Sequence, residues 1–396
     1  MLAMFKRVLS LPKRSFLLLG PRGTGKTTWL KQALPQALWY NLLLDRELLR
    51  LMRDPGVFRR EIEALPSGSW VVVDEVQKLP ALLNDVHDAL TSAPRRWRFA
   101  LTGSSARRLR RGEANLLAGR VIGRTLYPLT TAELPSSPPI DDLLRFGGLP
   151  LIRAERTVAG RIDLLEAYLS TYLAQEIRAE ALVRSLESFT RFLEVAALAN
   201  GRVTNVASLA RDSGVARPTV QGYFDVLIDT LVGAWLPAWR PRAKVKETAH
   251  PKFYLFDCGV VRSLSGRLRE PLDSAERGTL LETLVFHELR AHVAYSDRGG
   301  ALSYFRTPSG SEIDFVWTRG RHRIGIEVKA AARWRTEHGR ALRDLHEAKA
   351  LTACFGVYLG DTEQRDGAVR VLPAHAFLRE LAAGKILPAG HAPRAR

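Results

Sequence analysis

Cysteine is nearly missing from this chain: two occur in 396 residues, Cys258 and Cys354, far apart and without ligand-type spacing. That excludes a disulfide scaffold and a structural cysteine–zinc site, and it suits a reducing cytoplasm. No apolar run approaches the roughly 20 residues that a membrane span needs. The N-terminus lacks a long apolar stretch followed by a small-residue cleavage site. The expectation is a soluble, intracellular protein with no membrane partner. Acidic residues are also outnumbered, 41 Asp and Glu against 59 Lys and Arg. The resulting net charge of +18 and pI near 10.4 favour an anionic partner, nucleic acid ahead of a membrane surface. Arginines spread over solvated faces are the plainer alternative. Hydrophobic residues form 46% of the chain, which excludes a disordered protein and is ample for real cores. At this length two or three domains are expected.

The most specific stretch present is Gly20-Pro21-Arg22-Gly23-Thr24-Gly25-Lys26-Thr27, with Thr28 after it and the apolar run Phe16-Leu17-Leu18-Leu19 before it. It fits the phosphate-cradling pattern G-x-x-x-x-G-K-[ST] between a strand and a helix. Glycines let the backbone bend until successive N–H groups point at phosphate oxygens. Lys26 is expected to reach the β- and γ-phosphates of ATP, and the Thr27 hydroxyl to ligate Mg²⁺. The helix starting near Lys26 puts its positive end under the anion.

A second apolar strand, Trp70-Val71-Val72-Val73, ends in Asp74-Glu75. A run apolar on both faces belongs to a strand covered by helices on each side. Asp74 stands where such folds place the carboxylate that holds Mg²⁺, and Glu75 is the candidate base that polarises the attacking water. A third strand, Trp97–Leu101, ends in Thr102-Gly103-Ser104-Ser105. Ser104 is the hydroxyl chosen to touch the γ-phosphate or the water, with a contact-free Gly-Ser turn as the other reading. Beyond it, Asn115-Leu116-Leu117-Ala118-Gly119-Arg120 offers a guanidinium for the transition state, within the chain or across a contact in a homo-oligomer. An ordinary surface arginine is the alternative for Arg120.

With Tyr127-Pro128-Leu129 and Phe146-Gly147-Gly148-Leu149-Pro150, these motifs resemble the bacterial and archaeal AAA-like P-loop ATPases that carry an uncharacterised C-terminal domain. The resemblance implies ATP hydrolysis with Glu75 following the metal aspartate, and a DNA- or assembly-related role.

After the turn-rich Ser136-Ser137-Pro138-Pro139, helical periodicity runs from about Ile162 to Val183. Thr204 to Asp229 reads as helix, Gly214 turn, helix, with Pro218 in the first turn of the second helix. Val220, Phe224, Leu227 and Ile228 share one face of that helix, leaving Arg217, Thr219, Gln221 and Tyr223 for the other. A short strand, the cations Arg240, Arg242, Lys244 and Lys246, and a strand at Phe253–Phe256 follow. Such a winged-helix pattern docks DNA through its second helix and neutralises phosphates with its hairpin, or else serves as a packing adaptor.

In the last third, Glu282 lies on an apolar helical stretch, Asp314 in a strand, and Glu327 and Lys329 on one face of the next strand. Asp314 and Glu327 are candidate Mg²⁺ ligands, Lys329 a group to orient water, and Glu282 an added carboxylate. Asp followed by Glu-x-Lys resembles the restriction-endonuclease-like, PD-(D/E)xK-like fold that includes Holliday-junction resolvases. Solvent-facing ion pairs are the alternative. A helix over Arg333–Leu351 and a strand over Ala353–Leu359 complete this domain.

The fold class expected is α/β throughout: a P-loop ATPase domain (1–135), a helical linker (136–185), a winged helix (186–262), a nuclease-like α/β domain (263–388) and a disordered tail (389–396). Three functions compete: a DNA-associated ATPase, an ATP-gated metal-dependent nuclease, and a non-catalytic nucleotide-switched regulator.

Overall fold

The computed structural model describes residues 5–104, 117, 119–173, 185–240, 250–296 and 298–388. Arg242, Lys244, Lys246 and the tail 389–396 lie outside the described residues. The chain divides into two compact units: Leu9–Tyr127 with Asp229–Val232, and the remainder.

In the first unit, β1 (Phe16–Leu19), β2 (Leu38–Asn41), β3 (Ser69–Asp74), β4 (Trp97–Gly103) and β5 (Ile122–Thr125) form one parallel sheet in the order β2-β3-β4-β1-β5. Parallel strands need crossover connections, and the helices that supply them cover both faces. This explains why Val71, Val72 and Val73 are all fully buried. Val71, Val73, Phe99 and Leu101 pack with Tyr40, Phe58, Ile62, Leu83 and Val86 from the surrounding helices and strands. Phe16 instead meets Trp29 and Trp70 edge-on, with ring centroids 6.2 and 5.7 Å away. The register sets Leu18 beside Thr102 and Val73 beside Leu101, so the carboxyl ends of β1, β3 and β4 finish level with one another. Ligand crevices of open α/β sheets form at such ends.

The second unit starts with short helices at Ile140–Phe146, Pro150–Ala154 and Val158–Ala167, the last running on as wide turns through Tyr168–Leu173. Helices Leu186–Leu198, Val206–Ser213 and Arg217–Asp229 follow. Gly214 closes the second of them at φ 64°, a left-handed turn that glycine adopts at little cost. Strands β6 (Gly233–Leu236) and β7 (Lys252–Leu255) pair antiparallel. After the 22-residue helix Ser274–Tyr295, capped by Asp273 accepting from the Glu276 N–H at 2.8 Å, comes a mixed sheet. Its strands are β8 (Ala301–Arg306), β9 (Glu312–Arg319), β10 (His322–Lys329), β11 (Ala353–Tyr358), β12 (Gln364–Asp366) and β13 (Val369–Pro373), in the order β12-β13-β11-β10-β9-β8.

The middle and C-terminal segments, separate domains by sequence pattern, share one core. Buried Asn200 donates to Thr283 at 2.8 Å and accepts from the Leu255 N–H at 2.7 Å. Tyr254 of β7 packs on Phe286, which stacks on Phe315 of β9 with centroids 5.9 Å apart. The helix expected over Arg333–Leu351 begins only at Arg340 and ends at Glu347. Trp334 lies against Gly356 of β11 and donates to Asp366 of β12 at 3.0 Å, which holds the chain out of a helix there.

Glu288 of the long helix is buried and accepts from the Thr131 N–H at 2.6 Å. Burial, eased by that hydrogen bond, moves its pKa from the ordinary 4.5 to about 7. Between those values the unfolded state is the more ionised, so stability falls as pH rises through this window. Urea unfolding from pH 4.5 to 7.5 should show Glu288→Gln escaping a loss on the order of 3 kcal/mol that the native chain suffers. Parallel pH profiles would contradict this.

Candidate functional site

The loop after β1 owes its shape to close packing as well as to glycine. A Cβ on Gly20 would stand 2.4 Å from the Leu126 carbonyl oxygen, so no larger residue fits there. Gly25 takes φ 87°, which lets the chain turn directly into the helix Lys26–Ala33. That helix has no side-chain cap and no acidic residue in its first turn. A helix start with neither a capping nor an acidic side chain is the arrangement that suits an anion. The Lys26 ammonium is buried and donates to the carbonyls of Gly20 at 2.8 Å and Pro21 at 3.2 Å. Thr24 is buried and donates to the Pro21 carbonyl at 2.9 Å, closing the loop on itself. Gly23 is exposed with φ 80°, Arg22 half-buried and Thr28 exposed on the helix.

Asp74 sits at the end of β3, 1% exposed. One carboxylate oxygen accepts from the Thr27 hydroxyl at 2.8 Å, the other from the Thr102 hydroxyl at 2.6 Å. The Thr102 oxygen in turn accepts from the Glu75 N–H at 2.8 Å. Glu75 adopts φ 61°, a left-handed conformation that costs a non-glycine residue roughly 1–2 kcal/mol. The turn aims its carboxylate at Gln77, which donates to it, and at Ser104, whose hydroxyl stands 3.5 Å away. Gln77 also donates to Ser104 at 3.0 Å. Ser104 is thus buried in a hydrogen-bonded chain with Glu75 and is not in a contact-free turn.

The structure therefore brings together Lys26, Thr27, Asp74, Glu75 and Ser104, and adds Thr102 and Gln77, which motif spacing alone does not single out. Both lie within a few residues of the motif positions. The signal for Thr102 is that it is the first of the hydroxyls at the end of a buried strand. Arg120 is exposed in the turn before β5, and among the described residues it makes no hydrogen bond or ion pair with Lys26, Asp74 or Glu75.

In the second unit, Arg217, Thr219, Gln221 and Arg240 are exposed. Tyr223 is a correction. It is 4% exposed, with its ring 4.8 Å from Phe189 and 5.3 Å from Phe192 by centroid, so it belongs to the core between helices and not to an outer face.

Asp314, Glu327, Lys329 and Glu282 do converge. The β9–β10 ladder ends at the Phe315–Ile326 pair. Past it, side chains take over: Asp314 accepts from the Val328 N–H at 2.8 Å, and Glu327 accepts from the Asp314 N–H at 3.3 Å. Lys329 pairs with Glu327 and lies 4.0 Å from Asp314. Asp314 and Glu327 are buried, which removes the reading as solvent-facing ion pairs. Sequence reasoning missed Lys252, whose side chain is 4% exposed; its ammonium stands 2.6 Å from Glu312, 3.7 Å from Asp314 and 3.9 Å from Glu282. Burial lowers the Lys252 pKa, but Asp314, Glu282 and Glu312 outweigh it and raise the group above the ordinary lysine range. Burial and then Asp314 lift Glu282 to about 8, where it also accepts from the Tyr254 hydroxyl at 3.2 Å. The same two causes raise Glu327 well above the carboxylate range.

The two candidate cation sites differ in kind. Thr27 and Asp74, beside a phosphate cradle, suit Mg²⁺ carried by a nucleotide. The second cluster does not suit a divalent ion. Among the described residues, no group of three or more His, Cys, Asp or Glu side chains could hold a metal. The expected Mg²⁺ ligands Asp314 and Glu327 are engaged by N–H groups and lysines instead.

Comparison with known proteins agrees with the first site. Residues 12–135 match the family described as AAA domain. The N-terminal region is a P-loop AAA domain. Residues 138–270 and 277–377 match two domains of unknown function, DUF8612 and DUF4143. The uncharacterized protein Rv2008c of Mycobacterium tuberculosis is 28% identical over 322 residues, 79% of this chain and 69% of its own length. The uncharacterized protein Mb2031c of Mycobacterium bovis matches to the same extent. Among solved structures, the ADP form of the Aeropyrum pernix ORC2 protein is 13% identical and covers 65% of this chain and 88% of its own, with a TM-score of 0.32, too low to carry an argument. Among the described residues, no helix is long and apolar enough to cross a membrane.

Thr102 joins two strand ends through one hydroxyl. Thr102→Val should cost about 1–3 kcal/mol in urea unfolding, because it strands a buried carboxylate oxygen. Thr28→Val, at an exposed position, should stay within about 0.5 kcal/mol. Equal effects would contradict the bridging role.

Proposed function

We propose that this chain is an Mg²⁺-dependent ATPase whose nucleotide state controls DNA-facing elements of its second unit. The observation that carries the reading is Asp74, buried and bridged to both Thr27 and Thr102, with Glu75 next in sequence and Lys26 inside a main-chain cup. In this reading the Lys26 ammonium exchanges the Gly20 and Pro21 carbonyls for the β- and γ-phosphates. First-turn N–H groups of the helix after Gly25 bind phosphate oxygens. Thr27 and Asp74 would hold Mg²⁺, which would supply charge neutralisation on the phosphates. Glu75 draws a proton from the attacking water, oriented by Gln77 and Ser104. Arg120, exposed, is left to act across a contact between copies, which makes a homo-oligomer part of the proposal.

A catalytic base separates an ATPase from a nucleotide-binding regulator. Steady-state ATP turnover should fall about 100-fold or more in both Lys26→Ala and Glu75→Gln. Undiminished turnover in both would end the proposal. Tight ATP binding with negligible hydrolysis in the native chain would favour the regulator.

The DNA part rests on the charge of +18 and on exposed Arg217, Thr219, Gln221 and Arg240 around a helix-turn-helix followed by an antiparallel strand pair. The metal-dependent nuclease reading is set aside, because the carboxylates it needs do not fit a divalent ion. Fluorescent-DNA titrations with and without a non-hydrolysable ATP analogue should give different affinities. Arg217→Ala and Arg240→Ala should each flatten the salt slope by about 0.9 for every phosphate that the arginine neutralised. Salt-independent binding, or the same affinity in both nucleotide states, would contradict the coupling.

A further inference from the structure

We propose that Lys252 is a resident cation standing in for a divalent metal in the nuclease-like sheet, so that this region does not cleave phosphodiesters by metal-assisted hydrolysis. The ammonium comes from β7, which belongs to a different sheet from β9, the strand of Glu312 and Asp314, while Glu282 lies on the helix Ser274–Tyr295. It reaches Glu312 at 2.6 Å, Asp314 at 3.7 Å and Glu282 at 3.9 Å, and lies over the Tyr304 ring 5.4 Å from its centroid.

Mg²⁺ requires oxygen ligands at about 2.0–2.1 Å in near-octahedral order. Here the two carboxylates of the Asp and Glu-x-Lys pattern, Asp314 and Glu327, already face partners with both oxygens. Asp314 turns one oxygen to the Val328 N–H and the other toward Lys252. Glu327 gives one oxygen to the Asp314 N–H and the other to Lys329. A second cation entering beside Asp314 would meet the buried positive charge of Lys252, whose side chain is 4% exposed.

Lys252 is not a surface side chain free to withdraw. The backbone around it is pinned: the Thr204 N–H donates to Pro251 O at 2.9 Å, the Tyr304 hydroxyl donates to His250 O, and Val203 bridges to Lys252 itself. Removing the ammonium would leave buried carboxylates uncompensated, a larger penalty than an exposed pair would incur. The cluster is therefore complete as built, with lysines supplying the positive charge.

The test is Mn²⁺ binding to the nucleotide-free full chain, followed by electron paramagnetic resonance of free ion. The native chain and Asp314→Asn should bind the same amount of Mn²⁺. Lys252→Met should gain one site, lost again in Lys252→Met combined with Asp314→Asn. A native chain that binds one more Mn²⁺ than Asp314→Asn would overturn the proposal, and so would a folded Lys252→Met that gains none. Should Lys252→Met fail to fold, the native and Asp314→Asn comparison still decides. None of these variants touches the ATP site, so failure here leaves the ATPase proposal standing.

Discussion

The first unit turns on one buried carboxylate. Asp74 is charged chemistry at the end of a strand of valines, and it is tolerable there only because two threonine hydroxyls satisfy both its oxygens. Those hydroxyls come from different places: Thr27 from the helix after β1, and Thr102 from β4, the strand between β1 and β3. Asp74 therefore ties the phosphate loop, the central strand and the acidic turn into one rigid corner. Glu75 inherits its position from that corner through its N–H bond to Thr102, at the cost of a left-handed backbone.

The second unit solves the burial of charge differently. Asp314 and Glu327 are drawn into the end of a β-ladder that has run out of main-chain partners, and they replace those partners with their side chains. The residual negative charge is met by lysines from two directions, Lys329 on the same strand as Glu327 and Lys252 from β7. A sequence pattern associated with metal chemistry is here filled by a network of ammonium–carboxylate pairs. The residues are the expected ones, and N–H groups and lysines face them.

Much of the phosphate site is legible in the sequence because its requirements are local. Glycine at fixed offsets, a lysine and a threonine at a helix start, and two acids after an apolar strand need no knowledge of tertiary packing. Thr102 is harder, since its role depends on β4 lying between β1 and β3, an order that the chain does not follow. Placing Tyr223 on the outer face overlooks that it stands three residues after Val220 and four before Leu227, which is the spacing of the buried stripe; the aromatic packing with Phe189 and Phe192 makes this visible. Lys252 gives one faint sign, a cation heading the strand Lys252-Phe253-Tyr254-Leu255, whose every residue is buried. Its partners lie 30 to 62 residues further along the chain, beyond the reach of periodicity.

Calorimetric titration of ATP into the native chain, with Mg²⁺ present and then chelated, tests the central claim most directly. The account predicts saturable uptake that weakens without Mg²⁺, since Thr27 and Asp74 engage the nucleotide through the ion. A well-folded chain that takes up no purine nucleotide would contradict it, and the Asp74 corner would then be an element of folding alone.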